Sequence, residues 1–360
     1  MSKKKVGLIG LGRISDVHVL GYKDNPDAEI YAICARDKKT TDRRAAEWGV
    51  SVTYNDYRDL LADPNVDAVE ILTPHLVHEE IVIAAAEAGK AVSCQKPMAE
   101  SLESADRMVE ACRKHGVMFK VYDNYIFYPA IMKAKELIDQ GAIGDVTNIR
   151  IKMFAGGSGG WEVPTTTWEW RQKETQEGRG QQTFDHGHHL WAVAWHLLGR
   201  VTEVKAWIDV TTDQYIDSPA VMMWRHEGRN RYGQCEYVYS EELEIPSDYY
   251  SCDEWFEVSG SKGVLMVQRC NGRIKTGPVL KTFTNDGWTE YNLADDWGES
   301  FIECTKNFTR ALAGKEEPYL TGEQGREVLA LDLAFGKSNK EDRTVRLSEF
   351  GYPELAGRTK

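Results

Sequence analysis

Several features that would place the chain in other classes of protein are missing from its sequence. None of the apolar runs in its 360 residues approaches the roughly 18 residues that a membrane-spanning helix needs. Residues 1–5 lead directly into an apolar strand, so we expect no secretory signal. The formal net charge of −12 lacks the basic excess that nucleic acids and anionic membranes attract, and we expect neither as a partner.

Cysteine is present, but without the pattern of a disulfide-stabilised module. The seven cysteines include no Cys-x-x-Cys pair, and an odd number does not suit a complete disulfide framework. We therefore expect a reducing, cytoplasmic setting. With 42% apolar and 28% charged residues, the composition is typical of a globular protein, and the length suits two domains.

The first third of the chain alternates short apolar runs with segments of helical period. The predicted strands are Val6–Ile9, Glu29–Cys34, Ala68–Leu72, Ala91–Cys94 and Val117–Val121. The amphipathic helical stretches between them are 41–48, 79–88 and 101–115. Strands and helices that alternate in this way predict a parallel sheet with helices on both faces, followed here by one helix over 125–140.

After about residue 143 this alternation stops. The β-like runs that follow are 146–153, 201–210, 231–239, 255–258 and 264–267. Because most of them are joined without a helical crossover, we predict an antiparallel or mixed sheet. Helical period returns at 300–313 and 322–338, and the sequence has no internal repeats.

A glycine-rich turn follows the first strand. In Gly10-Leu11-Gly12-Arg13-Ile14-Ser15, the first glycine allows a tight turn and the second lets the backbone approach a pyrophosphate. Ser15 is small enough to replace a third glycine. At the head of a strand–helix alternation this turn predicts a Rossmann dinucleotide-binding domain over 1–123. The fold class is then α/β, with an α+β domain over 124–360 that contains a large, mostly antiparallel open sheet.

The end of the second strand bears on the choice between NAD and NADP. An NAD-binding domain usually has an acidic residue here, whereas this chain has Ala35, which has no acceptor for a ribose hydroxyl. Arg36 can stack on adenine or face a 2′-phosphate, and Asp37 follows at the next position. These residues favour tolerance of NADP without excluding NAD. The cofactor that we predict is NAD, with NADP left open.

Lysine and histidine supply the chemistry for an alcohol oxidation. Lys96, in Gln95-Lys96-Pro97, follows the fourth strand, at the sheet edge where ligands bind, and a cation there polarises an alcohol or carbonyl oxygen. Asp185 and His189 lie one helical turn apart, and histidine is suited to removing a hydroxyl proton near neutral pH. The alternatives are a solvated surface lysine and a metal site made from members of the cluster Asp185, His186, His188, His189 and His196.

Tryptophan is concentrated just before this histidine cluster. Trp161, Trp168 and Trp170 are followed by Arg171. Flat aromatic rings suit the apolar faces of pyranose rings, so we predict a sugar or glycoside as the substrate. Packing at a sheet edge or subunit contact is the alternative.

Together these motifs resemble the glucose–fructose oxidoreductase/inositol dehydrogenase (Gfo/Idh/MocA) family over nearly the whole chain. The segments that carry the resemblance are Gly10–His18, Thr73-Pro74 with His78, Gln95–Pro97, Asp185–His189, Glu257–Gly263 and Gly322-Glu323. The resemblance implies that Lys96 bonds the reacting oxygen, that His189 is the general base and that Asp185 holds the substrate. It also implies a homo-oligomer, a dimer or tetramer, formed through the open sheet.

The resemblance extends to the binding residues. The implied cofactor contacts are Gly10, Gly12, Arg13, Ile14, Ala35, Arg36, Thr73, Pro74, His78, Gln95 and Lys96. The implied substrate contacts are Lys96, Tyr125, Trp161, Trp168, Trp170, Arg171, Asp185 and His189. The chain departs from the family at Gln95 (usually Glu), Arg179–Gln181 (usually three glycines), Ala192 (often Asp) and Ile126 (often Arg), so an atypical substrate is expected.

The predicted function is NAD(P)-dependent oxidation of a secondary hydroxyl of a sugar or glycoside. Within the family, the tryptophans and histidines resemble glycoside 3-dehydrogenases, which oxidise the glucose C3 hydroxyl ahead of a separate lyase. An inositol or free-sugar dehydrogenase is the nearest alternative. A non-catalytic NAD(P)-binding sensor and a metal-dependent lyase or hydrolase on the histidine cluster are the others, although we predict no metal.

Overall fold

The chain divides into two compact units, each made of two segments. The computed structural model describes residues 2–162, 165–176, 179–211, 216–228 and 230–351, without the side chains of residues 165–168, 170, 181 and 182. The first unit consists of Met1–Asn124 and Ser300–Leu329, and the second of Tyr125–Glu299 and Ala330–Lys360. The predicted domains 1–123 and 124–360 differ from this division chiefly because Ser300–Leu329 is grouped with the first unit.

The first unit contains the parallel sheet. In chain order its first elements are β1 (Lys4–Ile9), α1 (Ser15–His18), β2 (Ala28–Cys34), α2 (Lys38–Trp48), β3 (Val52–Tyr54), α3 (Tyr57–Ala62), β4 (Ala68–Ile71), α4 (His78–Glu87), β5 (Ala91–Gln95), α5 (Leu102–His115) and β6 (Phe119–Tyr122). The strands are all parallel, in the order β3-β2-β1-β4-β5-β6. This order is that of a dinucleotide-binding sheet, so the predicted Rossmann domain is confirmed. Strand β3 was not among the predicted strands; it has only three residues, none of them fully buried.

The second unit begins with a 3-10 turn at Tyr125–Phe127. Its next elements are α6 (Pro129–Asp139), β7 (Val146–Ser158), α7 (Thr165–Gln176), α8 (Gly187–Leu198), β8 (Val201–Ile208), β9 (Ala220–His226), β10 (Tyr232–Glu244), β11 (Cys252–Gly260), β12 (Gly263–Val267), β13 (Leu280–Thr284) and β14 (Gly287–Tyr291). The chain then forms α9 (Gly298–Leu312), α10 (Gly322–Glu341) and β15 (Val345–Arg346). In place of the single helix predicted over 125–140, the chain forms the 3-10 turn and then α6. Pro129 occupies the first position of α6, where proline favours the start of a helix.

The large sheet belongs to the second unit. Its described strands lie in the order β14-β13-β12-β11-β7-β10-β9-β8-β15, and every pair is antiparallel except β7 with β10. In β9, buried and exposed residues alternate strictly, as expected of a sheet with one face covered. The predicted mostly antiparallel open sheet is confirmed. None of the described helices is both long and apolar enough to cross a membrane.

Buried contacts explain why Ser300–Leu329 belongs to the first unit. Phe308 of α9 is fully buried in the same apolar cluster as Val6 and Leu8 of β1. The Nζ atom of Lys120, on β6, donates to Oδ1 of Asn307 at 3.0 Å and is itself fully buried. Such contacts join residues that are far apart in sequence, so the periodicity of either segment alone does not predict them.

Candidate active site

The glycine turn after β1 fits a bound dinucleotide. Gly10 has a φ of +98°, and a Cβ there would lie 2.8 Å from the carbonyl carbon of Leu72, so the protein itself requires glycine. A Cβ on Gly12, in contrast, would meet no atom within 4 Å. The chain therefore does not require glycine at position 12 for its own packing. The open space beside Gly12 suits a backbone that a pyrophosphate approaches closely.

Ser15 replaces the third small residue of the turn. It is buried, and its hydroxyl donates to the carbonyl oxygen of Gly12 at 2.6 Å, which closes the turn. The helix that follows is shorter than expected, since α1 is one turn long and passes into a 3-10 turn at Val19–Tyr22. Arg13 is exposed and Ile14 half-buried beside the turn.

The end of β2 leaves no acidic side chain for a ribose. Ala35 is half-buried, and its carbonyl oxygen accepts from Nδ2 of Asn55 at 2.8 Å. The Asp37 carboxylate caps α2 by accepting from the backbone N–H and the hydroxyl of Thr40, and this hydrogen bonding lowers the pKa of Asp37. Arg36, between them, is exposed.

The Thr73-Pro74 segment follows β4 and is held by His78. His78 is fully buried, with Nε2 2.8 Å from the carbonyl oxygen of Thr73 and Nδ1 3.2 Å from that of Pro97. Burial lowers the pKa of His78 to about 4, so the ring is neutral. A neutral ring donates from one nitrogen only, so it bonds one of these two carbonyl oxygens while lying between the loops that follow β4 and β5. The cofactor contact that the resemblance implies for His78 stays a prediction. The Thr73 hydroxyl is buried and has no partner among the described residues, which leaves it available to a ligand.

Lys96 directly follows β5. It is half-buried, and its backbone N–H donates to Oε1 of Gln95 at 2.8 Å. In a sheet of this kind, ligands bind outside the carboxyl ends of the strands, which is where Lys96 lies.

In the second unit, Asp185 and His189 span the junction of a π-helical turn (Gln181–His186) and α8. Such turns are frequent at functional sites. Oδ2 of Asp185 lies 3.2 Å from Nη2 of Arg171, and the two side chains are about equally buried. Arg171 therefore contacts the predicted substrate-holding carboxylate directly.

The altered glycine run before this turn retains one glycine for a clear reason. A Cβ on Gly180 would lie 2.0 Å from Oδ2 of Asp217. That same oxygen accepts from the backbone N–H of Thr183 at 2.6 Å. The buried Asp217 therefore holds the π-helical turn and leaves no room for a side chain at position 180.

His189 rests on a buried polar group. Its ring stacks on that of Tyr125, with centroids 4.2 Å apart, and the Tyr125 hydroxyl donates to Oε1 of Glu254 at 3.2 Å. Nε2 of His186 lies 2.7 Å from the same oxygen. Burial and the neighbouring Glu254 raise the pKa of Tyr125, so its hydroxyl stays protonated. Tyr125 is 1% exposed and its ring lies against that of His189. The substrate contact that the resemblance implies for Tyr125 stays a prediction.

Glu254 is the buried acceptor of this group. Burial is the largest single influence and would raise the pKa of its carboxyl. The hydrogen bond and charge of His186, together with the hydrogen bonds from Cys252 and Tyr125, outweigh burial and lower this pKa. Sequence reasoning missed this residue. The pair Asp253-Glu254 offered little signal in the sequence, because β11 also contains the acidic residue Glu257.

Three residues here have atoms that metals bind. Ligand atoms of His186, Cys252 and Glu254 lie within 4.8 Å of one another. Each already has a polar partner: His186 bonds Glu254, and Cys252 Sγ accepts from Nδ2 of Asn271 at 3.0 Å. Burial raises the pKa of the Cys252 thiol, which disfavours the thiolate that zinc requires. The cluster is thus hydrogen-bonded as it stands.

Aromatic rings continue from Tyr125 to Trp161. The Tyr125 ring is 6.2 Å from that of Trp297, which is 4.9 Å from Tyr249, and Tyr249 is 5.3 Å from Trp161. Trp297 is buried, whereas Trp161 and Tyr249 are half-buried. Of the predicted tryptophans only Trp161 is placed, because the side chains of Trp168 and Trp170 lie outside the described part of the structure.

Two family models match the chain. The model described as the oxidoreductase family with an NAD-binding Rossmann fold matches residues 4–123. The model described as the GFO/IDH/MocA C-terminal domain matches residues 131–266.

Similar proteins include several sugar dehydrogenases. The D-xylose 1-dehydrogenase [NADP(+)] of Haloarcula marismortui is 38% identical, over 89% of this chain and 84% of the relative. The myo-inositol 2-dehydrogenase of Thermotoga maritima is 29% identical, over 96% of this chain and 99% of the relative. A levoglucosan dehydrogenase, solved with NADH and levoglucosan, has the same fold, with a TM-score of 0.82 at 24% identity, covering 96% of this chain and 99% of that one.

Proposed function

Because the chain belongs to the Gfo/Idh/MocA family of NAD-dependent oxidoreductases, we propose that it oxidises a secondary hydroxyl of a sugar or glycoside. The finer proposal is oxidation of the C3 hydroxyl of a glucoside to the 3-oxo-glycoside. The observation that carries the proposal is the support of His189, whose ring stacks on Tyr125 while the Tyr125 hydroxyl bonds Glu254. A general base needs this kind of fixed orientation.

Each polar residue has one role in the proposed reaction. His189 takes the proton of the reacting hydroxyl as the hydrogen on the same carbon leaves as hydride. Lys96 donates to the reacting oxygen and stabilises the negative charge that develops on it. Asp185, held by Arg171, accepts from a neighbouring hydroxyl and orients the ring. NAD, when bound, supplies the hydride acceptor.

The residues present fit NAD. Gly10, Gly12, Arg13 and Ile14 would hold the pyrophosphate, and the Thr73 hydroxyl is free for the riboside among the described residues. No acidic side chain at the end of β2 is left to select a ribose hydroxyl, since Asp37 caps α2. Exposed Arg36 supports tolerance of NADP as well.

The decisive experiment begins with release of bound nucleotide from the purified protein by denaturation. The protein is then incubated with glucosides, free sugars and inositols while the reduced nicotinamide is followed by absorbance. We expect turnover with a glucoside and little with inositols. Turnover only with inositol or a free sugar contradicts the glycoside proposal, and bound nucleotide with no turnover on any polyol favours the sensor.

A histidine pair tests the base. We expect His189→Gln to lower kcat by about a hundredfold or more, a usual contribution of general base catalysis. His196→Gln makes the same change on the same helix, at a half-buried histidine outside the proposed site, and we expect it to retain kcat. Near wild-type turnover of His189→Gln would exclude the proton role.

The exposed face of the large sheet supports the proposal of a homo-oligomer. Ladder pairing places several large apolar side chains on one face, namely Trp207, Val221, Met223, Tyr232, Phe283 and Trp288. Charged residues of the central strands, including Arg150, Lys152 and Glu236, lie between these apolar side chains on the same face. Exposed large apolar side chains combined with charged ones support an interaction surface. We expect light scattering to show a dimer or tetramer, and we expect Met223→Lys to weaken its association. A wild-type protein that is monomeric at micromolar concentration would contradict the proposed homo-oligomer.

The setting and the partner reaction complete the proposal. All seven cysteines are free and buried, which supports a reducing, cytoplasmic environment. A 3-oxo-glycoside is the substrate that a separate lyase would consume, so we propose such a lyase as the following step. The proposed substrate, a glycoside, and its 3-oxo product are both uncharged. Neither therefore requires a positively charged protein, and this chain carries a net charge of −12.

A further inference from the structure

Four buried side chains of the first unit form one line of hydrogen bonds beneath Lys96. Oε1 of Gln95 accepts from the Lys96 N–H at 2.8 Å, and Nε2 of Gln95 lies 2.8 Å from Nε2 of His18. Nδ1 of His18 lies 3.0 Å from Oε1 of Glu70, and the Tyr22 hydroxyl donates to Oε2 of Glu70 at 2.9 Å. The four side chains are at most 8% exposed.

The donor and acceptor of every hydrogen bond in this line follow from the first bond, which runs from the Lys96 backbone N–H to Gln95. A backbone N–H can only donate, so the Gln95 oxygen must face Lys96 and the Gln95 amide nitrogen must face His18. An amide nitrogen also only donates, so Nε2 of His18 must accept. The imidazole proton is then on Nδ1, where it donates to the Glu70 carboxylate.

The surroundings of His18 favour a single orientation. Its ring lies against that of Tyr122, with centroids 4.0 Å apart, and the edge of Phe301 lies at 5.2 Å. Burial and the Glu70 carboxylate raise the pKa of Tyr22, so this hydroxyl remains a donor. Among the described residues, Lys120, Tyr122 and Cys304 are further ionisable groups that interact with Glu70, and all three are buried.

We propose that Gln95 is a positioning residue, which holds His18 as the neutral Nδ1–H tautomer and through this line fixes the backbone of Lys96. The resemblance to the family predicts glutamate at this position. A second carboxylate beside Glu70 would need one additional proton, on itself or on His18, to complete the same bonds. Glutamine completes them without that proton.

The tautomer follows from hydrogen bonding alone, whereas its effect on catalysis rests on the proposed function. Since Lys96 is assigned to the reacting oxygen, loss of its fixed backbone lowers kcat more than it raises KM. The line also joins β5 to the segment directly after the glycine turn, because His18 and Tyr22 belong to that segment.

The tautomer is tested by NMR on the intact protein labelled with ¹⁵N-histidine, using His18→Gln to assign the His18 signals. We expect a neutral ring protonated on Nδ1 at neutral pH. A ring protonated on Nε2, or on both nitrogens, would overturn the proposal. This readout needs no substrate, so it stands apart from any failure of the dehydrogenase assay.

Two variants of Gln95 test the positioning role. Gln95→Met removes both bonds, and we expect kcat to fall at least tenfold with KM nearly unchanged. Gln95→Glu can restore both bonds once it gains a proton. We therefore expect the kcat of Gln95→Glu to approach the wild-type value at low pH and to fall at high pH. The wild-type protein should lack this decrease in its pH profile. A pH profile of Gln95→Glu that matches wild type would contradict the proposal.

Lys90→Met is the matched control. Lys90 immediately precedes β5 at its other end, and its Nζ donates to the backbone carbonyl oxygens of Asp63 and Val66 at 2.9 and 2.8 Å. Like Gln95→Met, this variant removes two hydrogen bonds of the first unit. These bonds lie at the opposite end of β5 from Lys96. We expect a lower melting temperature but unchanged kcat. If Gln95→Met retains kcat as Lys90→Met does, Gln95 is merely structural.

Discussion

The ring of His189 lies nearly parallel to that of Tyr125, with centroids 4.2 Å apart and an angle of 21° between the planes. The hydroxyl of Tyr125 reaches a different residue, the fully buried Glu254. One side chain therefore connects the proposed base to a buried carboxylate. The two functions of Tyr125, stacking and hydrogen bonding, can be separated by mutation.

Tyr125→Phe keeps the stacking ring and removes only the hydroxyl. Because Glu254 loses one of its donors, we expect the free energy of unfolding to fall by about 1.5 kcal/mol. We expect kcat/KM to fall about tenfold, or roughly 1.4 kcal/mol of transition-state stabilisation, because the ring that stacks on His189 is no longer held by a hydrogen bond to Glu254. Denaturant titration and steady-state kinetics measure the two effects.

Tyr128→Phe is the control for Tyr125→Phe. Tyr128 is equally buried, and its hydroxyl donates to the backbone carbonyl oxygen of Asp295 at 3.3 Å. We expect a similar or smaller loss of stability and no loss of kcat/KM. Equal kinetics for the two variants would show that the Tyr125 hydroxyl serves only the fold.

The two glycines of the turn predict opposite phenotypes. Gly12→Ala adds a methyl group where no atom of the chain lies within 4 Å, so we expect an unchanged melting temperature and at least tenfold weaker NAD binding. Gly10→Ala places a side chain at a φ of +98° and against Leu72, so we expect a lower melting temperature. Calorimetry with and without NAD separates these outcomes. A Gly12→Ala variant that binds NAD normally would exclude this turn as the pyrophosphate site.

The features that could be predicted from the sequence are those set by local spacing. The glycine turn, the alternation of strands and helices and the Asp185–His189 spacing each need only a few adjacent residues. Glu254 could not be predicted, because its partners His186 and Tyr125 are 68 and 129 residues away. They meet only once the register of β11 on the sheet is known. The line from Gln95 to Glu70 was missed for the same reason. Glu70 lies in a predicted strand and Gln95 directly follows one, but His18 and Tyr22 lie outside every predicted strand and helix.

His226 gives the stability of the second unit a defined pH dependence. Its Nε2 accepts from the Trp224 indole at 2.8 Å and its Nδ1 lies 2.9 Å from the carbonyl oxygen of Gly199, so the ring is neutral. Burial lowers the pKa of His226 to about 4. The unfolded chain, with a histidine pKa of about 6.5, then binds more protons between pH 4 and 6.5. Stability is complete above this window and is lost as the pH falls through it.

The expected loss from His226 is roughly 3 kcal/mol between pH 6.5 and 4. Urea titrations across that range measure it. His226→Gln retains an acceptor and a donor but does not titrate, so we expect a shallower dependence for this variant. Equal slopes for both proteins would assign the acid sensitivity to other groups.

Removal of metal is expected to leave the enzyme active. The side chains of His186, Cys252 and Glu254 have hydrogen-bonding partners already, and the raised pKa of Cys252 favours its thiol. We expect dialysis against a chelator to change neither the melting temperature nor kcat, and Cys252→Ser to retain activity. Stoichiometric zinc that disappears in Cys252→Ala would instead support the metal-dependent alternative.

Trp161 tests whether the substrate extends beyond a single sugar ring. It is half-buried at the far end of the rings that lead from His189 through Tyr125, Trp297 and Tyr249. An aromatic contact contributes about 0.5 to 1.5 kcal/mol, so we expect Trp161→Ala to raise KM for an aryl glucoside about threefold to tenfold. A free sugar has no aglycone to reach this ring, and its KM should not change. Trp48→Ala, at a half-buried tryptophan of the first unit, should alter neither constant. An equal rise in KM for glucoside and free sugar would place Trp161 beside the sugar ring itself, and no change for either would remove it from the substrate site.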